Sequence, residues 1–177
     1  MGDFGYKKRD SILGEIGSTA NNTIRTGVAV GDIEYGDFIE LAYRGLANYD
    51  QAGGIGVRTY IDLLDEGIPT FGVAVYKPSS SDGRSTQYKY LDGSQVRIMT
   101  EGDVRLAVPQ GELCLYGDPA YLAFINNKYA VTSVKLGSKF EIGYFAETVL
   151  AGEDDTCLVS LDIKKDVLEF PPLNTNN

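Results

Sequence analysis

The sequence predicts an all-β fold: a compact antiparallel β-barrel or jelly-roll-like sandwich with an N-terminal arm. Three observations carry this expectation. From about Thr26 onward, short apolar or alternating runs recur, each broken by a Gly-acid or Asp-Gly pair. Glycine is abundant, at 21 of 177 residues, and it reaches positive φ without steric cost, as tight turns require. No stretch carries the sustained 3.6-residue period of a long amphipathic helix.

Residues 1–25 read as the arm. They mix charge, glycine and polar residues with scattered apolar anchors at Phe4, Tyr6, Ile12, Leu13 and Ile16, and no period of 2 or 3.6 runs through them. Such a terminus is either a loose tail or an arm that orders against a partner through those anchors. The domain proper is expected over 26–165, and 166–177, proline-broken and polar, is expected to be a frayed or extended tail.

The first strand candidates are Thr26–Gly31 and Asp37–Gly45, with Gly31–Gly36 between them as a hairpin connection. Residues 45–70 are harder to read. LANYDQAGGIG reads as loop, and VRTYIDLLDEGIP as a short helix ended by Gly67 and Pro69 or as another strand, with an irregular excursion from the sheet favoured. Phe71–Lys77 is a strand, Pro78–Thr86 an exposed loop and Gln87–Leu91 a short strand. Gln95–Met99 and Val104–Pro109 follow as two strands, with a turn at Glu101-Gly102-Asp103. Glu112–Gly117 and Ala120–Ile125 come next, and Asn126-Asn127-Lys128 turns tightly into Tyr129–Val134. Lys139–Gly152 is the longest candidate, with Gly143 marking a bulge or a close backbone approach. Thr156–Ile163 closes the set, giving about ten strands on connections of mostly two to six residues.

Composition narrows the function classes. The chain has 16 basic and 25 acidic residues, a net charge of −9, so a phosphate backbone offers it no counterion release and nucleic-acid binding is not expected. The dense basic run Lys7-Lys8-Arg9 reads as a solvated terminus. No segment approaches the length of a membrane span, no secretory h-region is present, and Tyr6 breaks the myristoylation pattern. The chain is therefore expected to be made and used without export.

Histidine and tryptophan are absent, which removes the Ser-His-Asp and Cys-His arrangements and the common zinc sets. Cys114 and Cys157 each lie in an apolar run and read as buried thiols acting as small hydrophobes, with a disulfide left open. GGIG at 53–56 lacks the Lys-Ser/Thr of a phosphate loop and reads as a plain loop. GEDD at 152–155 offers hard oxygens for calcium but lacks EF-hand spacing, and reads as a solvated turn. Two carboxylates could run glycoside hydrolysis, yet most acids here sit beside glycine in turns, where they serve turn chemistry. No catalytic, cofactor-binding or metal-binding residue is expected. The 12 tyrosines suit either strand cores or an interface.

The order of segments resembles the cement, or decoration, proteins that stabilise the heads of tailed bacteriophages. TGVAVGDIEYGDFIELAYRG follows the polar arm. FGVAVYK stands where that family often has a GVAV strand. YKYLDGSQVRIMTEGDVRLAVPQG is similar to a segment in which Y-x-x-G-x-x-V precedes a G-x-x-x-V strand, and KFEIGYFAETVLAGEDDTCLVSL looks like the family's closing strands. The resemblance spans about 20–163, with 45–70 a departure. It implies a virion protein on the outer capsid surface that contacts neighbouring major capsid protein subunits, is oligomeric, often trimeric, and uses no cofactor. Phe4, Tyr6, Ile12 and Leu13 are the candidate capsid-attachment residues. The alternatives are another phage structural β protein, for the tail tube or head completion, and a carbohydrate-binding module or histidine-free glycosidase.

Overall fold

A computed structural model describes residues 13–17, 21–42, 55–61, 72–76, 89–138, 140–149 and 156–163. Its strands are β1 (Thr23–Ala29), β2 (Ile33–Glu34), β3 (Phe38–Leu41), β4 (Gly56–Thr59), β5 (Gly72–Ala74), β6 (Lys89–Tyr90), β7 (Gln95–Ala107), β8 (Pro119–Ile125), β9 (Lys128–Thr132), β10 (Phe140–Phe145) and β11 (Thr156–Asp162). There is no helix among the described residues. The all-β class expected from the sequence is the class observed. The loop at 78–86, the GEDD turn and the tail from 166 lie outside the described residues.

Nine strands form one sheet in the order β1-β4-β3-β5-β7-β11-β10-β8-β9, and β1 also pairs with β7. The pairings of β1, β4, β3, β5 and β7 therefore run in a closed circuit. One pair in it, β1 with β4, is parallel, so the sheet is mixed rather than purely antiparallel. At the far end β9 comes back within 8 Å of β7, Cα to Cα. β2 and β6 form a separate two-stranded sheet.

Alternation of side chains divides the interior into two cores. Ile39, Ala74, Val96 and Ile98 join Ile33, Tyr35, Val57 and Tyr90 in one. Their strand neighbours Phe38, Val73, Val75 and Met99 point the other way, into a larger core with Leu122, Val131, Ile142, Phe145, Val159 and Leu161. The β3 and β5 segments are thus apolar on both faces, which a solvated sheet would not need.

β7 serves both cores because of one extra residue. Thr23 faces Glu101 while Ile24 faces Met99, which leaves Thr100 unmatched as a bulge. The bulge inverts the alternation. Val96 and Ile98 fill the first core, whereas Val104 and Leu106, of the same parity, fill the second. The turn expected at Glu101-Gly102-Asp103 is accordingly not a reversal. Gly102 takes φ +119° and lies against the Asn22 side chain, where a Cβ would collide, so the chain bends and continues as one 13-residue strand.

Other expectations are corrected by pairing. Gly31–Gly36 does not close a hairpin between the first two strands, since β4 lies between β1 and β3. The segment is held elsewhere: Gly31 N donates to Asp92 Oδ1 at 2.7 Å, and Asp32 pairs with Lys89 at 2.5 Å. Within 45–70, favoured as an irregular excursion, Gly56–Thr59 is a strand, so Gly56 of the GGIG run belongs to the sheet. Glu112–Gly117 is not a strand. It makes a single bridge, Cys114 to Val149, and then turns.

Two local expectations hold. Asn126 and Asn127 have φ of 52° and 63°, as a two-residue type I′ hairpin demands, and join β8 to β9. The β10–β8 register shifts between Glu141 and Gly143, so Gly143 lies at a bulge. It also lies against the Ser160 carbonyl, leaving no room for a side chain.

Candidate interaction surface

Among the described residues, five of the eight exposed large apolar side chains, including the two most exposed, come from two segments that a single carboxylate ties together. Glu112 accepts hydrogen bonds from Thr132 Oγ1 at 2.8 Å, from Ser133 Oγ at 2.8 Å and from Ser133 N. Ser133 Oγ also reaches the Leu113 carbonyl at 3.2 Å. The 112–118 segment is thereby fixed beside the end of β9 and the residues after it.

Alternation decides what this segment presents. Cys114 is fully buried in the larger core, and its neighbours Leu113 and Leu115 point outward, 47% and 44% exposed. The chain then turns at Leu115–Asp118, closed by Asp118 N donating to the Leu115 carbonyl at 3.1 Å, with Gly117 at φ +86°. Tyr116 stands on this turn at 70% exposure. The turn is braced from behind, where Tyr116 N donates to Thr148 Oγ1, Gly117 N to the Phe145 carbonyl, and Phe145 N to the Asp118 carbonyl.

Across the Glu112 tie lies a second turn, Lys135–Ser138. Ser138 N and Ser138 Oγ both donate to the Lys135 carbonyl, at 3.2 and 2.6 Å, and Gly137 has φ +80°. Leu136 occupies the corner of this turn and is 92% exposed, next to the exposed Val134. A leucine held this far out on a closed turn gains nothing from its own fold. Clustered exposed apolar groups of this kind mark contact surfaces.

The remaining sequence candidates fall as follows. Phe4, Tyr6 and Ile12 lie outside the described residues. Leu13 is half-buried and packs beside Gly36. The residues after it run along β7: Gly14 N donates to the Arg105 carbonyl, Arg105 N to the Glu15 carbonyl and Gly17 N to the Asp103 carbonyl, each at 2.8–2.9 Å. Ile16 packs against the larger core. Cys114 and Cys157 are both buried and free, and burial pushes each thiol up to about 12. Among the tyrosines, Tyr35, Tyr60 and Tyr90 are core residues, whereas Tyr116 and Tyr144 are exposed. Among the described residues no group of three or more acidic, cysteine or histidine side chains is placed to hold a metal ion.

Sequence reading missed Leu113, Leu115, Val134 and Leu136 as surface groups. For Leu136 a signal existed, since a leucine between lysine and Gly-Ser sits in turn chemistry rather than in a strand. Comparison with known proteins finds no matching family model and no matching curated protein.

Proposed function

We propose that this protein is a non-enzymatic virion structural protein. It binds across neighbouring major capsid protein subunits on the outer face of a phage head and stabilises the shell. The observation that carries the proposal is the apolar surface of Leu113, Leu115, Tyr116, Val134 and Leu136, held on closed turns of a body whose own cores are filled elsewhere. A protein built this way works through contact. Contacting several shell subunits at once adds avidity across their seams, and binding the assembled shell but not free subunits stabilises it by mass action. The acidic charge of −9 suits an outer face, away from packaged DNA.

The arm supplies the attachment. Its anchors Phe4, Tyr6 and Ile12 precede the point where Leu13–Gly17 joins the sheet, so they start from a fixed place on the body. An extended chain of that length reaches at most about 40 Å. The test is co-sedimentation with assembled heads and with tails. The expected result is binding to heads alone, lost when residues 1–12 are removed. Binding to tails, or spontaneous tubes or rings under the electron microscope, would favour a tail-tube or head-completion role instead. The exposed rings of Tyr116 and Tyr144 are the observation that favours a sugar-binding alternative, and a positive glycan array without head binding would select it.

A further inference from the structure

Leu13–Gly17 is seated as an added strand. From Glu101 to Ala107, β11 takes one edge of β7 along its whole length. Leu13–Gly17 takes the other edge at Asp103–Arg105, with Ile16 bridging Val104 in the antiparallel sense. Gly14 N donates to the Arg105 carbonyl, Arg105 N to the Glu15 carbonyl and Gly17 N to the Asp103 carbonyl. The segment's other flank meets the end of β5 and the residues after it, where Tyr76 N donates to the Gly14 carbonyl at 2.8 Å. It therefore lies in a slot walled by Asp103–Arg105 on one side and Ala74–Tyr76 on the other.

The slot selects what fills it. A Cβ on Gly14 would come within 2.8 Å of the Ala74 carbonyl oxygen and 2.9 Å of Gly36 N, and Gly14 has φ +74°. A Cβ on Gly17 would come within 2.7 Å of the Asp103 Cβ. Between these two glycines, Ile16 packs against the larger core. The slot thus suits an extended stretch that reads glycine, any residue, apolar residue, glycine. Main-chain hydrogen bonds supply the rest of the hold, and any extended peptide can make them.

The occupant is also placed to leave. Ile16 is only half-buried, and the segment's hydrogen bonds are few beside the seven-residue ladder on the β11 edge. β1 makes its own pairing with β7 from Thr23 onward, so Leu13–Gly17 can part from the slot without pulling β1 from the sheet. Its departure would bare a strand edge, which is a template for pairing.

We propose that this slot is a binding site for an extended peptide of the pattern Gly-x-apolar-Gly, filled in the free protein by Leu13–Gly17 and able to take the same pattern supplied as a separate peptide. The proposal stands on backbone pairing and does not depend on the capsid reading.

The test uses full-length protein and a fluorescent synthetic peptide with the sequence of residues 11–18, SILGEIGS. Fluorescence anisotropy compares the wild type with two variants that weaken the protein's own segment, Gly14→Val combined with Gly17→Val, and Ile16→Ser. In the wild type the tethered segment competes at a high effective concentration, so the peptide should bind at least about tenfold more weakly than to either variant. A peptide that itself carries Ile16→Ser should lose about tenfold or more in affinity for both variants. Amide hydrogen exchange on the wild type is the second readout. Tyr76 and Arg105 donate to the segment, so their amides should exchange by local opening, at least about tenfold faster than those of Val104 and Leu106, which face β11 by alternation. Circular dichroism checks the fold of each variant, and if neither is folded the exchange readout decides. Equal binding of the peptide to the wild type and to a folded variant would overturn the proposal. So would binding indifferent to Ile16→Ser in the peptide, or Tyr76 and Arg105 amides as slow as those of Val104 and Leu106.

Discussion

Asp37 illustrates how single residues hold the fold and how each can be probed. It is half-buried after β2, accepting hydrogen bonds from Glu34 N and Thr59 Oγ1, both at 3.1 Å. Burial raises its carboxyl above the usual range, and the nearby Lys128 only partly offsets this. A raised carboxyl means the folded state holds its proton more tightly than the unfolded chain does. Ionised Asp37 therefore costs stability at neutral pH, and that cost is relieved as pH falls through its raised value. Asp37→Asn should melt as high as the wild type or higher at pH 7, and the difference should shrink on acidification. A wild type that gains on the variant as pH rises would refute the assignment. Asp32 has the opposite sign, because its hydrogen bond to Lys89 lowers its carboxyl, and its contribution is lost in acid. Ser94 offers a simpler test. Its hydroxyl is buried without a partner, a situation that costs about 1–3 kcal/mol. Ser94→Ala should leave the urea midpoint unchanged or raise it.

At the scale of elements, the two bulges decide more than the strands around them. Gly143 meets the Ser160 carbonyl, so Gly143→Ala must part β10 from β11 and should cost more than about 1 kcal/mol in denaturant unfolding. The Glu112 tie is an element-scale device too, since its carboxylate accepts from Thr132 and Ser133, and the Ser133 hydroxyl also reaches the Leu113 carbonyl. Glu112→Ala should leave the cores intact but speed amide hydrogen exchange at Ser133, whose N–H loses its acceptor. Unchanged protection there would mean that the segment is held by the Cys114–Val149 bridge alone. The hairpin of β8 and β9 was readable because Asn-Asn tolerates positive φ and the turn is local. The bulge in β7 was not. Glu101-Gly102-Asp103 has turn composition, and only pairing on both edges of β7, with β1 and β11, keeps the chain extended there.

For the whole molecule, local pattern is enough for the all-β class, the approximate place of most strands and the burial of both cysteines, because alternation, β-branched content and turn residues act over a few neighbours. Composition likewise excludes histidine chemistry. The strand order, the parallel β1–β4 pair, the closed circuit through β7 and the division into two cores emerge only when the chain is folded. These depend on pairings between distant residues, such as Val28 with Gly56 and Thr23 with Glu101, which no local pattern records. The same holds for the candidate surface. The anchors in the arm were legible as apolar residues in a polar run, but Leu113 and Leu115 have the look of strand core residues. They face solvent because Cys114 between them takes the core position, and a leucine's side of a strand is fixed by register rather than by its own chemistry.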